Sequence, residues 1–539
     1  MGAQDGYILG IDLGTSSVKL ALVQTDGLVV ASDTEPVSLL LTPDGGVEQD
    51  PGEWWEKIAL GCRRLLSRSG QAQRVIGIGC TAQWSTTVAI DEDGRPLGNA
   101  VLWMDTRGAP DIRALTGGLV SIEGYAAFKL WRWIRLTGGA PAHSGKDPLA
   151  HILFLRRARP DIYRQARYFL EPKDFLNFRL TGRVAASYDS IALYWLTDNR
   201  NPAAVHYDPG LLHLAGLTAD RLPRLQRSVD VLGPVLPGAA EALGVPPGIP
   251  VVTGSPDVPA AAVGSGATDD YAAHLYVGTS SWITCHVPFK KTDLLHNMAS
   301  LPSAIPGRYL VANEQETAGA CLNFLADALL FPADCTGARP PNTHAILNDL
   351  AAGVPAGSHG VFFTPWLVGE RTPVEDAYLR AGFHNLSLGT TRADLVRAVF
   401  EGVALNSRWL LEAEEHFLGR RLDRLTFIGG GARSPLWCQI FADVLNRSVQ
   451  PLADPVSANV RGAAVLASVG LGLTSFEAAH ATALGGPVYE PRPQVVPLYQ
   501  KLFQEYTGFY RRNRRAFHRL NRQMSAPVPP PGPGFSACP

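Results

Sequence analysis

The sequence predicts an α/β protein built from two related domains. Three observations carry that expectation. Strands and helices alternate along most of the chain. At 539 residues it exceeds what one hydrophobic core usually serves. The same short turn, Gly-Thr-Ser-Ser, stands at 14–17 and again at 278–281, each time between two apolar runs. Internal similarity at such a separation suggests two related units, each presenting one turn toward a shared cleft.

The first copy lies in ILGIDLGTSSVKLALVQTD, residues 8–26. Ile8–Ile11 is apolar and strand-like, Asp12 ends it, Leu13–Ser17 is a tight turn of small residues, and Val18–Val23 is apolar again before a hairpin signal at Gln24–Gly27. A carboxylate beside such a turn is suited to hold phosphate and Mg²⁺. Gly14 lets the backbone approach an anion, and the turn's N–H groups and hydroxyls can donate to it. An ordinary β-hairpin with a polar turn would read the same way. The second copy, LYVGTSSWITC at 275–285, is what favours the phosphate reading.

Between and after these turns the elements follow in order. Residues 7–34 read as two or three strands. Asp50-Pro51 caps a helix whose Trp54, Trp55, Ile58, Ala59 and Cys62 recur on one face. Val75–Thr81 and Val88–Asp91 are strands, and Val101–Trp103 is a short one leading into Asp105-Thr106-Arg107. Residues 143–180 read as mostly helical, and 186–198 as irregular. A Pro/Gly-rich passage at 232–256 precedes the strand Val251–Gly254 and marks the change of domain. We therefore divide the chain into 1–256, 257–522 and a Pro-rich, disordered tail at 523–539. In the second domain Leu395–Phe417, Pro435–Asn446, Asn459–Gly470 and a basic amphipathic stretch, Leu498–Leu520, read as helices, and Thr426–Gly429 as a strand ending in glycines.

Composition excludes several classes. The net charge of −1 gives no overall electrostatic footprint for nucleic acid or an acidic membrane. Seven scattered cysteines without CxxC spacing read as reduced thiols of a cytoplasmic protein. The N-terminus lacks the pattern of a signal peptide, and no apolar run approaches the length needed to span a bilayer.

The two turns, PLGNAVLWMDTR at 96–107, EPKDFLNFRLTG at 171–182, WLVGERTP at 366–373 and FIGGGARSPLWCQIFADVL at 427–445 resemble, in this order, the FGGY carbohydrate kinases, and among them the xylulokinase-like branch. The similarity runs from about residue 8 to about 515. It implies two ribonuclease-H-like domains of the actin/hexokinase type with an interdomain cleft. It also implies phosphoryl transfer from MgATP to a hydroxyl of a small sugar, D-xylulose first. Small-molecule sugar and MgATP are then the partners, and a homodimer is compatible with the sequence. Nothing matches a Walker A loop or the protein-kinase set.

Asp257, in GSPDVPAAAVGSG, follows a strand and precedes small residues that could open a helix. It suits a general base, or equally an N-cap; the resemblance favours the base and asks no special tuning of its pKa. Asp12 is implied as an indirect Mg²⁺ holder, with Asp257 sharing the ion through water, and as a contact to a substrate hydroxyl. Gly14, Thr15, Ser16, Gly278, Thr279 and Ser280 are implied at the phosphates. Gly430, Gly431 and Ala432 are implied at the adenosine, and Gly319 and Asn323 along the nucleotide. The sugar loop corresponds to Gln83-Trp84, followed by Trp103, Asp105 and Arg107 in a matched WxDxR pattern. A ring face, an amide and a carboxylate suit a polyol. Core packing of the tryptophans and an ion pair of Asp105 with Arg107 are the alternative. Arg371 is suited to stabilise charge or to pair with Glu370 in its loop.

Two departures stand out. Xylulokinases typically carry Gln-Met-His-Gly where this chain has Gln83-Trp84-Ser85-Thr86, and Asn after the catalytic aspartate where it has Val258. Both remove polar groups expected near a sugar, so another ketopentose, a polyol or a sugar acid stays open as substrate. A non-catalytic sugar or nucleotide sensor on the same scaffold is the more distant alternative.

Overall fold

The computed structural model describes residues 6–122, 124–332, 339–483 and 485–522; the predicted Pro-rich tail lies outside the described residues. Two mixed sheets organise the molecule. The first begins with an antiparallel meander, β1 (Tyr7–Leu13), β2 (Ser17–Gln24) and β3 (Val29–Pro36). Helix α1 (Pro51–Ser69) then packs on it. Asp50 accepts from Gly52 N–H at 2.8 Å to cap α1, and Trp54, Ile58, Cys62, Leu65 and Leu66 form its buried stripe. β4 (Val75–Ala82) pairs parallel to β1, and β5 (Val231–Pro234) and β6 (Pro250–Val252) complete the order β5-β6-β4-β1-β2-β3.

Helix α2 (Asp257–Gly264) leads from the first sheet to the second. There β7 (Ala273–Val277) and β8 (Ser281–Val287) form a hairpin, followed by β9 (Thr292–Asp293), β10 (Met298–Pro302) and β11 (Tyr309–Ala312). After the long helix α3 (Arg392–Leu418), β12 (Arg424–Ile428) adds parallel to β7. Helix α4 (Pro435–Leu445) connects to β13 (Ser448–Pro451), parallel to β12. The two sheets thus repeat one plan: a hairpin, a further antiparallel strand on one side and parallel strands on the other. Each Gly-Thr-Ser-Ser forms the turn of its sheet's first hairpin. That equivalence is the structural content of the repeat seen in the sequence.

The halves meet through α2 and α5 (Ala458–Gly470). A Cβ on Gly264 would fall 1.8 Å from Ala458 O, and one on Gly462 would fall 1.9 Å from Ala260 O. The helices therefore cross backbone to backbone. α5 also lies on the first sheet, where Gly10 and Gly79 give its backbone the same room at Val460 O and Ala463 O. Arg461, buried at this crossing, donates to the carbonyls of Gly27 (2.8 Å), Gly264 (2.6 Å) and Ala479 (2.6 Å). The helix α6 (Val496–Asn521) buries Tyr499, Phe503, Tyr506 and Tyr510 and leaves its arginines outside. The predicted strand Val101–Trp103 is only Ala100–Val101, because Trp103 turns away to a side-chain hydrogen bond. Among the described residues no helix is long and apolar enough to cross a membrane.

Candidate active site

β1 runs buried from Ile8 to Leu13 and delivers Asp12 at its end. Asp12 is 3% exposed, and its Oδ1 has no hydrogen-bond partner among the described residues. Burial pushes its carboxyl above the usual range. Lys19, its register partner on β2, pulls it back. An orphaned acceptor of this kind suits a hydrated cation, since Mg²⁺ keeps several waters and takes few protein ligands. No cluster of three or more metal-binding side chains exists among the described residues. The donor set therefore fits an ion carried mainly by nucleotide phosphates and steadied by Asp12.

Asp257 is the first residue of α2, with Pro256 in the N-cap position. Its Oδ1 accepts from Val258 N–H at 2.9 Å. A helix N-terminus favours the carboxylate, but burial, followed by the charge of Asp12, outweighs it and pushes Asp257 up to about 7. The sequence context of Asp257 calls for no tuning of its carboxyl. The structure places it where tuning is unavoidable, in the brink range for a proton acceptor at neutral pH.

The second turn is tied to its neighbours. Gly278 N–H donates to Ser280 O at 3.0 Å. The carbonyls of Gly278 and Thr279 accept from Gly319 (2.8 Å) and Ala318 (2.8 Å), tying the turn to the next helix start. Gly319 is needed there because a Cβ would meet Gly278 O at 2.4 Å. Thr279 is exposed to the cleft. In the glycine run after β12, Gly429 takes φ +88° and its missing Cβ clears Val277 O, while Gly431 abuts Val277 and Trp437 and Ala432 is buried. Gly430 alone has nothing within 4 Å of its Cβ direction. Of that motif it is the position that leaves room for a ligand. Asn323 is exposed, and its Oδ1 accepts from Arg339 at 3.3 Å.

The first turn is more tightly engaged. Thr15 Oγ1 donates to Gln83 Oε1 at 2.8 Å and accepts from Trp103 Nε1 at 3.0 Å. Gln83 Nε2 donates to Gln49 Oε1 at 2.8 Å, and Gln49 Nε2 returns to Thr15 O at 2.7 Å. Gln83 is 2% exposed. Thr15, Gln83 and Trp103 thus form one closed network that sets the turn, with Gly14 N–H on Ser17 O and Ser16 exposed beside it. Asp105 is fully buried and accepts from Val47 N–H (3.0 Å) and Arg107 N–H (2.9 Å). The Arg107 guanidinium also meets Glu48 at 2.6 Å and Asp44 at 3.0 Å. These two residues are spent on an ion cluster. Trp84 is half-buried, its Nε1 donating to Ser190 O at 3.1 Å, and its backbone N–H lies against the Asp257 carboxylate.

The sequence raised Arg371 but not the charged groups that gather around it. Lys146, from the first half of the chain, reaches Glu316 at 3.7 Å, and Arg371 binds Glu314 (2.5 Å) and Glu316 (2.9 Å). Arg371 does not pair with the Glu370 carboxylate. That group accepts instead from Asn406 Nδ2 (2.6 Å), Glu316 N–H (3.0 Å) and the Arg371 backbone N–H (2.9 Å). Glu314 in turn raises Asp257. No local spacing announces this cluster, because its members come from three separated loops. A surface groove of about 520 Å³ bordered by Arg167, His206 and Arg224 does not include these groups.

Known proteins match the chain along most of its length. The model of the FGGY family of carbohydrate kinases matches in two parts, its N-terminal domain over residues 7–264 and its C-terminal domain over 274–471. A xylulose kinase of Staphylococcus epidermidis is 30% identical over 94% of this chain and 97% of its own length. A gluconokinase of Bacillus subtilis is 25% identical over 88% of this chain and 89% of its own. The crystal structure of xylulose kinase from Rhodospirillum rubrum superposes with a TM-score of 0.79 at 27% identity, covering 95% of this chain and all of that one. With both family halves in order on two sheets of one plan, the chain belongs to the FGGY family of carbohydrate kinases and is a sugar kinase.

Proposed function

We propose that the enzyme transfers the γ-phosphoryl group of MgATP to a hydroxyl of a small sugar, with D-xylulose to D-xylulose 5-phosphate as the first candidate reaction. The observation that carries the reading is Asp257 at the start of α2, close enough to Asp12 to feel its charge and pushed up to about 7. Its carboxylate accepts the proton of the sugar hydroxyl as that oxygen attacks phosphorus and the bond to the ADP oxygen breaks. A base near neutrality is both deprotonated in useful amount and basic enough to help. Mg²⁺, when bound, neutralises phosphate charge. Asp12 steadies it through water. The Gly278–Ser280 turn cradles phosphate oxygens, and Gly430 gives the adenosine room. Most of the rate comes from position and charge compensation.

For the sugar, the half-buried Trp84 beside Asp257 supplies the ring face. Gln83 and Trp103 act through the network that sets the first turn, and Asp105 and Arg107 through their ion cluster, because their polar groups are already engaged. One observation favours a second reading. Lys146 is held by Glu316 only at 3.7 Å, a loose pairing next to Arg371 that leaves its ammonium able to take a further carboxylate, and a sugar acid such as gluconate would place its carboxylate there.

The test is ADP release from MgATP against ketopentoses, polyols and aldonic acids, with Asp257→Asn alongside. Turnover with one sugar that is lost in the variant supports the reading and names the substrate. ATP binding without stimulation by any of them favours a sensor. Stimulated turnover that survives the substitution assigns the base elsewhere.

A further inference from the structure

Tyr276, the residue before Val277 at the end of β7, was not among the residues the sequence singled out. Its ring stacks on Trp282 across the hairpin, with centroids 3.8 Å apart and planes 13° from parallel. Trp282 Nε1 donates to His274 Nε2 at 3.0 Å, and His274 is fully buried. The stack is therefore fixed at its far end by a hydrogen bond and on its flanks by Ala261, Ile428, Leu452 and Ala458. The other face of the Tyr276 ring edge closes on Gly429, whose missing Cβ would stand 3.1 Å from Cδ2. With so few ways to move, the hydroxyl has a defined place.

That place is the second glycine turn. A Cβ on Gly278 would fall 2.0 Å from the Tyr276 hydroxyl oxygen, so the hydroxyl occupies the space above that glycine's α-carbon. Asp257, Asp12 and Glu314 all lie close enough to act on it electrostatically. Among the described residues it has no hydrogen-bond partner. A half-buried hydroxyl with no acceptor from the protein, held by a rigid ring beside the second turn, is placed to donate to an acceptor that arrives with the ligand.

We propose that Tyr276 binds the γ-phosphoryl group of ATP, its neutral hydroxyl donating a hydrogen bond to a phosphoryl oxygen above Gly278, with Trp282 and His274 as positioning residues. This rests on reading the second Gly-Thr-Ser-Ser turn as a phosphate seat. Burial and the neighbouring carboxylates push the phenol further up from its ordinary range, which keeps it a donor at every working pH. A neutral donor suits a site already holding several carboxylates. It compensates phosphoryl charge without forming a competing ion pair with Asp257.

Tyr276→Phe removes the hydroxyl and leaves the stack. Calorimetric titration without sugar, using MgADP and the non-hydrolysable β,γ-imido analogue of MgATP, separates the γ-phosphoryl contact from the rest of the nucleotide. We expect the analogue to bind about tenfold more weakly to the variant, since a hydrogen bond to a charged group is lost. MgADP should bind within about twofold of wild type, and the melting temperature should be unchanged. Loss of affinity for both nucleotides alike, or for neither, overturns the proposal. If Tyr276→Phe does not fold, Trp282→Phe, which loosens the stack and keeps the hydroxyl, should weaken the analogue selectively by a smaller factor. Equal effects on both nucleotides there overturn it as well. Because no sugar is present, a wrong substrate assignment leaves this result untouched. A failure of the kinase reading itself would show as absent nucleotide binding in the wild type.

Discussion

Replacing Asp257 by Asn should make the enzyme more stable while removing its activity. A carboxyl moved from its ordinary 3.8 to about 7 reflects about 4 kcal/mol against the charged form, at about 1.4 kcal/mol per tenfold. The group keeps some contact with water at the cleft, so about half of that, ~2 kcal/mol, is what a neutral residue should recover. Asn preserves the bond from Val258 N–H and relieves Asp12 of a like charge. The pH dependence has a definite sign. A carboxyl whose folded pKa lies above its unfolded one costs nothing below about pH 4. Its cost then grows as pH rises to about 7 and is constant above. The variant should therefore melt higher than wild type at pH 8, and the two should converge near pH 4, without nucleotide or Mg²⁺. Sugar-dependent ADP release should fall at least about 100-fold. Differential scanning fluorimetry over that pH range and a coupled ADP assay are sufficient. A variant less stable at pH 8, or one whose gain is the same at both pH values, would refute the electrostatic argument whatever its activity.

Other changes probe the remaining parts. Lys146→Met should raise KM for a sugar acid by about tenfold or more if the carboxylate sits at Lys146 and Arg371, and leave KM for a ketopentose within about threefold. Steady-state kinetics on both substrates decides between the two readings. Gln83→Met leaves the Thr15 hydroxyl and Gln49 without their partner; we expect a loss of about 1–3 kcal/mol in urea unfolding and a higher KM for MgATP. Gly462→Val would force a side chain into Ala260 O. It should cost about 3 kcal/mol or more, seen as loss of soluble protein or a collapsed melting transition, whereas Gly238→Ala, with open space around it and no positive φ, should be mild.

Much of the local order could be read from residues alone. Asp50-Pro51 and the Trp54, Ile58, Cys62 spacing specify α1, and the apolar run before Asp12 specifies β1, because capping and periodicity act within a few residues. The repeated turn announced the two equivalent hairpins for the same reason. For the WxDxR residues the sequence left two roles open, a polyol contact or an ion pair of Asp105 with Arg107. Asp105 and Arg107 carry the right chemistry for a polyol, yet their groups are consumed by Glu48, Asp44 and Val47. Spacing within a motif does not say what else the fold brings to it. Tyr276 is the converse case, an unremarked aromatic whose hydroxyl acquires meaning only against Gly278.

The sequence by itself determined the α/β class, the duplicated hairpins, the positions of Asp12 and Asp257 and the kinase family, since each depends on short-range pattern or on ordered motifs. Tertiary structure alone decided that Asp257 sits near neutrality, that Thr15 and Gln83 close on one another, and that Lys146, Glu314, Glu316 and Arg371 form one cluster. Desolvation and charge coupling depend on what surrounds a group in space. Those surroundings are drawn from segments far apart in the sequence, some within one half of the chain and some, as with Lys146 and Glu316, brought together only when the two halves dock.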